Sequence, residues 1–142
     1  MIFLDTDHVT VLSFSKHSLH ARLSDRISAA SGEAFAVTIV SVEEQMRGWL
    51  ARINRLKGLH EQVGAYRELR SLFRFFQEWE IVDFDATAAD EVRRLRHAKI
   101  RIGTMDLKIA AIALTRNALL LTANLTDFRQ IPGLRVENWL TE

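Results

Sequence analysis

Five acidic residues fall where a chain of alternating strands and helices would gather them. Asp5 follows the apolar run Ile2–Leu4, Glu43 and Glu44 follow Phe35–Val40, Asp106 comes just after Gly103-Thr104, and Asp127 lies a few residues past Leu119–Leu121. In an open parallel sheet, ligands bind outside the carboxyl ends of the strands, so these acids are expected to meet at one edge. Each also has a plainer use, because an acid in the first turn of a helix opposes its dipole by about 0.3–1 kcal/mol. That account serves Glu43, Glu44 and Asp106 taken singly. It serves Asp5 poorly: an aspartate directly after a buried strand needs a partner or a cation, since burying an unpaired charge is expensive.

Carboxylates gathered in one pocket repel one another and raise one another's pKa values, and a hard divalent cation relieves the repulsion. All-oxygen ligation suits Mg²⁺ or Mn²⁺. The expected chemistry is hydrolysis of a phosphodiester, in which the metal polarises a phosphoryl oxygen, lowers the pKa of a water and steadies the leaving oxygen. Such a reaction requires no serine, cysteine or histidine nucleophile. The chain has no cysteine, which excludes disulfides, zinc–thiolate sites and thiol nucleophiles and fits a reducing, cytoplasmic setting. Its histidines (His8, His17, His20, His60, His97) make no metal-ligand spacing such as HExxH, and read as surface or capping residues. His97 stands apart because it lies within a basic run.

The net charge of +1 hides an uneven distribution. Arg93, Arg94, Arg96, His97, Lys99 and Arg101 follow one another with no acid among them, and Arg47, Arg52, Arg55 and Lys57 follow Glu44. Either set is a solvated helix face or a phosphate-binding rim. Charge alone does not decide.

The elements that must position these groups are legible in the hydrophobic pattern. Ile2–Leu4, Phe35–Val40, Ile81–Phe84, Leu119–Leu121 and Leu134–Val136 are short, continuous apolar runs separated by helical patterns, as in a mostly parallel α/β sheet covered on both faces. Val9–Phe14 and Leu19–Ala30 read as helices. Met46, Trp49, Leu50, Ile53 and Leu56 recur at three- and four-residue spacing in another, which Gly58 ends or bends. A further helix runs through Val63, Tyr66, Leu69, Leu72 and Phe73. Thr87–Lys99, capped by Asp85 or Thr87, and Thr104–Asn117, opened by Gly103-Thr104, complete the set, and Pro132-Gly133 makes a turn. With 142 residues, 48% apolar and 26% charged, the chain is expected to form one domain over 1–142. No run reaches the roughly 18–20 apolar residues of a membrane span. MIFLDTDHV has neither a basic lead-in nor a cleavage site, so no secretory signal is expected.

Four blocks carry a resemblance. Leu4-Asp5-Thr6-Asp7, Ser41-Val42-Glu43-Glu44 with Gly48 four residues on, Gly103-Thr104-Met105-Asp106 with Ile109-Ala110-Ala111, and Thr122-Ala123-Asn124-Leu125-Thr126-Asp127-Phe128 resemble, in order and separation, the signature blocks of PIN-domain ribonucleases. The likeness is best to VapC-type toxins of toxin–antitoxin systems, and the ending Ile131–Trp139 is similar to theirs. The resemblance implies a PIN-like fold of about five short strands and an Mg²⁺- or Mn²⁺-dependent endoribonuclease acting on tRNA or another structured RNA. It implies an acidic quartet of Asp5, Glu44, Asp106 and Asp127 as catalytic metal ligands, with Glu44 preferred to Glu43 for its distance from Gly48. Thr6, Thr122 and Asn124 would support the quartet, and Arg96, His97 and Arg101 would contact RNA. It further implies a cognate VapB-type antitoxin and a homodimer. Met46, Trp49, Leu50 and Ile53, with the aromatic cluster Phe73–Trp79, are either core or a groove for the antitoxin. Asp7 stands where the family more often has asparagine, and is read as a cap for the next helix.

Two other readings share features with this one. Asp5-Thr6-Asp7 after an apolar strand imitates the opening motif of phosphatases with an aspartyl nucleophile. Those enzymes want glycine where this chain has His8, and a lysine for which Lys108 is the one candidate. An idle domain that merely grips RNA or protein would gain nothing from clustered negative charge near phosphates.

Overall fold

The computed structural model describes residues 1–141, and its elements follow the hydrophobic pattern with instructive departures. In chain order they are β1 (Ile2–Leu4), α1 (Thr6–Ser13), α2 (His20–Ala29), β2 (Phe35–Thr38), α3 (Ile39–Arg55), α4 (Leu59–Gln77), β3 (Glu80–Val82), α5 (Ala86–His97), α6 (Thr104–Thr115), β4 (Leu119–Leu121), α7 (Leu125–Phe128) and β5 (Arg135–Glu137). All five strands pair in parallel, in the order β3-β2-β1-β4-β5. The chain fills one side of β1 first and then crosses to the other, so the order reverses at β1. That reversal is where a doubly wound sheet opens a crevice at its carboxyl edge.

The short strands alternate their side chains between two covered faces. Phe3, Ala36 and Leu120 point into a core with Val92 and Leu95 of α5, the apolar length of α6 and Phe128 of α7. Ile2, Leu4, Val37 and Leu121 point the opposite way, into a second core with Val9, Leu23, Leu72, Phe76 and Trp139. Helix α6 is buried at Leu107 and from Ile109 to Ala113, as a helix pressed flat against a sheet must be. No helix among the described residues is long and apolar enough to cross a membrane.

Three departures from the pattern have clear causes. The run Phe35–Val40 is not all strand. The Thr38 side chain accepts a hydrogen bond from the Ser41 backbone N–H at 3.1 Å, which caps α3 and draws Ile39 and Val40 into the helix. The expectation of uniformly buried strands fails at β3 and β5, whose positions at the two edges leave Glu80, Ile81, Arg135 and Glu137 exposed. Gly58 does not end α3, which stops at Arg55; it stands at the N-cap of α4. Asp85 caps α5 by accepting from the Ala88 N–H at 2.9 Å, and Gly133 turns the chain with φ +83°.

Candidate active site

Asp5 at the carboxyl end of β1, Glu44 in the second turn of α3, Asp106 in the first turn of α6 and Asp127 in the first turn of α7 come to the same edge of the sheet. Glu43 and Glu44 were expected in a first turn, but the Thr38 cap starts α3 at Ile39 and moves both a turn further on. Asp5 is 5% exposed. Its carboxylate accepts from the Thr6 backbone N–H at 2.7 Å, capping α1, and from the Thr122 hydroxyl at 2.7 Å. Burial, then the neighbouring Asp7 charge, push its pKa up to about 7, against the pull of the two hydrogen bonds; Asp106 adds to the push. Asp106 is raised too, first by burial and then by Glu44, Asp127 and Asp7. Asp106 is therefore the electrostatic hub of the group, acting on Asp5 and acted on by Glu44 and Asp127 across as many as 101 positions of sequence.

Each acid but one is held by a neighbour. The Thr6 hydroxyl donates to Glu44 at 2.6 Å, and the Asn124 amide donates to Asp127 at 3.1 Å. Thr122 does double duty, since its oxygen also accepts from the Asn124 backbone N–H at 3.0 Å. Thr6, Thr122 and Asn124 thus touch the acids they were expected to support. The Asp106 carboxylate takes no hydrogen bond from any described residue. No lysine or arginine among the described residues comes within ion-pair distance of any of the four.

The donor set suits a hard divalent cation: carboxylate oxygens only, two of them on groups whose ionisation their neighbours oppose. Among the described residues no three acidic or histidine side chains form a metal cage, so holding a cation would require side chains to rotate. Four like charges with nothing between them have reason to stay apart. Glu43 is separate from the group. It is exposed and pairs with Arg47 one helical turn on.

Asp7 is not the cap it was read as, because Asp5 already occupies that position. Its carboxylate instead accepts from the Ala123 backbone N–H at 2.8 Å and meets His8 Nδ1 at 2.5 Å. His8 is fully buried, contrary to its reading as a surface or capping residue, and its Nε2 accepts from the Trp139 N–H at 3.2 Å. With Nε2 an acceptor, Nδ1 carries the proton and donates it to Asp7. The sequence signal for this was available: His8 is three residues after Asp5, on the α1 face that carries Val9 and Val11 inward.

The basic run Arg93–Arg101 ends α5 and is solvent-exposed but for Leu95 and Ile100. Arg94 is taken by Glu91, whereas the Arg96 guanidinium reaches the Thr104 hydroxyl at 3.5 Å, two residues from Asp106. His97 and Arg101 are exposed beside it. The apolar set on α3 divides: Ile53 is core, Met46 and Leu50 line a shallow apolar groove of about 590 Å³ with Ile39 and Val42, and Trp49 faces a different cavity. Lys108 lies over the Phe84 ring, 5.7 Å from its centre, rather than at the acids. An aspartyl-nucleophile phosphatase therefore lacks its lysine here, and a carboxylate as enclosed as Asp5 is poorly placed to attack.

Comparison with known proteins agrees with this fold. A model of the PIN domain matches residues 2–134. Over 86 residues the chain is 33% identical to the tRNA(fMet)-specific endonuclease VapC of Salmonella typhimurium, a match covering 58% of this chain and 65% of that protein. It is 41% identical over 69 residues to Ribonuclease VapC2 of Rickettsia felis, covering 46% of this chain and 52% of that one. The matched region thus spans less than two thirds of either relative. The solved structure of VapBC2 from Rickettsia felis bound to a promoter DNA fragment superposes with a TM-score of 0.73 at 25% identity, covering 98% of this chain and 99% of that one.

Proposed function

The chain belongs to the PIN-domain family, and from that premise we propose that it is a metal-dependent endoribonuclease, the toxin of a VapBC-type toxin–antitoxin pair. The observation that carries the reading is Asp5, buried and hard to ionise beside Asp7 and Asp106, with no lysine or arginine of the described residues in ion-pair distance. A fold retains such a group when something outside the chain compensates it.

Asp5, Glu44, Asp106 and Asp127 would hold Mg²⁺ or Mn²⁺, with Asp106 the acid free of protein donors. An ion held there would supply Lewis-acid stabilisation of the phosphoryl group and a more acidic attacking water. Thr122 and the Thr6 N–H aim the Asp5 carboxylate, the Thr6 hydroxyl aims Glu44, and Asn124 aims Asp127. Arg96, His97 and Arg101 supply positive charge for the RNA backbone at the Asp106 side. The substrate we propose is transfer RNA or another structured RNA, the class named for the Salmonella relative.

A cognate VapB-type antitoxin would hold the enzyme inactive, and the apolar groove at Met46 and Leu50 is the surface we assign to it. The toxin–antitoxin complexes among the structural neighbours support a partner of that kind. A homodimer acting in the cytoplasm completes the reading.

The test is cleavage of total RNA by purified protein. Degradation with Mn²⁺ that EDTA abolishes is expected; release of phosphate from small phosphomonoesters without RNA cleavage would overturn the assignment.

A further inference from the structure

Helix α3 leads away from the acids with a stripe of four residues on one face: Glu44, Gly48, Arg52 and Arg55, at spacings of four, four and three. That face lines a cavity of about 330 Å³ with Thr10, Gln45 and Trp49. A second cavity, of about 380 Å³, continues it and shares Thr10, Gln45, Trp49 and Arg52. Together they make one groove that runs from a site acid past Arg52 and Arg55 and on to Phe14, Glu68 and Leu72.

Three observations say what the groove is built to hold. Arg52 sits over the Trp49 ring, its guanidinium carbon 5.2 Å from the centre, so its planar donors are fixed in place. Neither Arg52 nor Arg55 has a carboxylate within ion-pair distance among the described residues, unlike Arg47 and Arg94, which neighbours on their own helices neutralise. Glu68 also lines the second cavity, so Arg52 supplies its positive charge. Gly48 keeps the way open. A Cβ built there meets nothing within 4 Å, so no packing demands glycine, and a mid-helix glycine costs about 0.8–1 kcal/mol against alanine. Any larger side chain would stand between Glu44 and Arg52.

We propose that this groove is a phosphate subsite for the RNA strand flanking the scissile bond, with Arg52, held by Trp49, and Arg55 gripping a backbone phosphate outside the acidic site. The proposal rests on the ribonuclease reading and names where its substrate runs.

The experiment measures binding of a fluorescent single-stranded RNA over a range of salt concentrations, in an Asp106→Asn background so that nothing is cut. Arg52→Ala and Arg55→Ala should each weaken binding roughly tenfold and lower the slope of log affinity against log salt by about 0.7. Gly48→Leu should weaken binding while melting no lower than its parent. Arg116→Ala, which removes the same charge at the opposite end of the sheet, should change neither affinity nor slope. Unchanged RNA affinity and slope in both arginine variants would overturn the subsite, as would a loss confined to capture of a polypeptide inhibitor. Absence of RNA binding and cleavage by the unsubstituted protein would instead remove the ribonuclease reading, and the subsite with it.

Discussion

The Thr122 hydroxyl donates to Asp5 at 2.7 Å across 117 positions of sequence, joining the end of β4 to the end of β1. The bond fixes the most buried acid of the site to the loop that carries Asn124 and Asp127. It also favours the charged form of a carboxylate that burial and Asp7 disfavour. Several measurable consequences hang on that balance.

Asp5→Asn and Asp106→Asn should each abolish Mn²⁺-dependent RNA cleavage while leaving the fold intact, as judged by circular dichroism. Asparagine retains an oxygen to accept from the Thr6 N–H, and the Thr122 hydroxyl can turn to accept from the new amide. Full activity in either variant, or its unfolding, would refute the site.

Without metal, the Asp5 carboxyl makes the native state bind its proton more tightly than the unfolded chain does. Its pKa rises from 3.8 to about 7, so its contribution to stability is whole below pH 3.8 and is lost as pH climbs through 7. The full loss is about 4 kcal/mol at most. Melting temperatures in EDTA should therefore fall across this window more steeply for the parent than for Asp5→Asn, and Mn²⁺ should restore the parent at neutral pH. Parallel curves for the two proteins would contradict the cause assigned here.

Thr122→Val keeps the shape of a fully buried side chain and removes its hydroxyl's hydrogen bonds to Asp5, Asp7 and the Asn124 N–H. A loss of about 1–3 kcal/mol is expected, because the Asn124 N–H loses its acceptor and Asp5 a donor. Denaturant unfolding measures it, and Mn²⁺ affinity should drop with it.

Asp7→Asn separates an electrostatic neighbour from a metal ligand. The substitution removes the largest charge acting on Asp5 and keeps one oxygen for the Ala123 N–H, at the cost of the bond from His8 Nδ1. Cleavage should persist, with the acid limb of its pH profile moved to lower pH. Complete inactivity in a folded variant would place Asp7 among the ligands.

Replacing Arg96 and Arg101 together with alanine should weaken RNA binding and flatten its salt dependence, since fewer counterions are released. Identical titrations at low and high salt would reduce these arginines to a solvated helix end.

Much of this was readable from the chain. Ile2–Leu4 and Leu119–Leu121 are strands as their unbroken apolar runs require, Asp85 caps its helix, and Asp5 stands directly after β1. Local pattern suffices there because the cause is local: a run of β-branched and large apolar side chains, a capping side chain three residues from its N–H. It failed where the deciding partner is remote in sequence or the cue ambiguous. Ile39 and Val40 look as much like strand as Phe35 does, and the Thr38 cap alone tips them into α3. Strand order made β3 and β5 exposed edges, which no run of three residues reveals. Asp7 reaches Ala123 across 116 positions and His8 reaches Trp139 across 131, so their roles follow from which strands lie side by side. Side-chain type and spacing specified which groups could do chemistry; the parallel pairing of β1 with β4 decided which of them touch, because a hydrogen bond needs its atoms within about 3 Å and local periodicity carries no such distance.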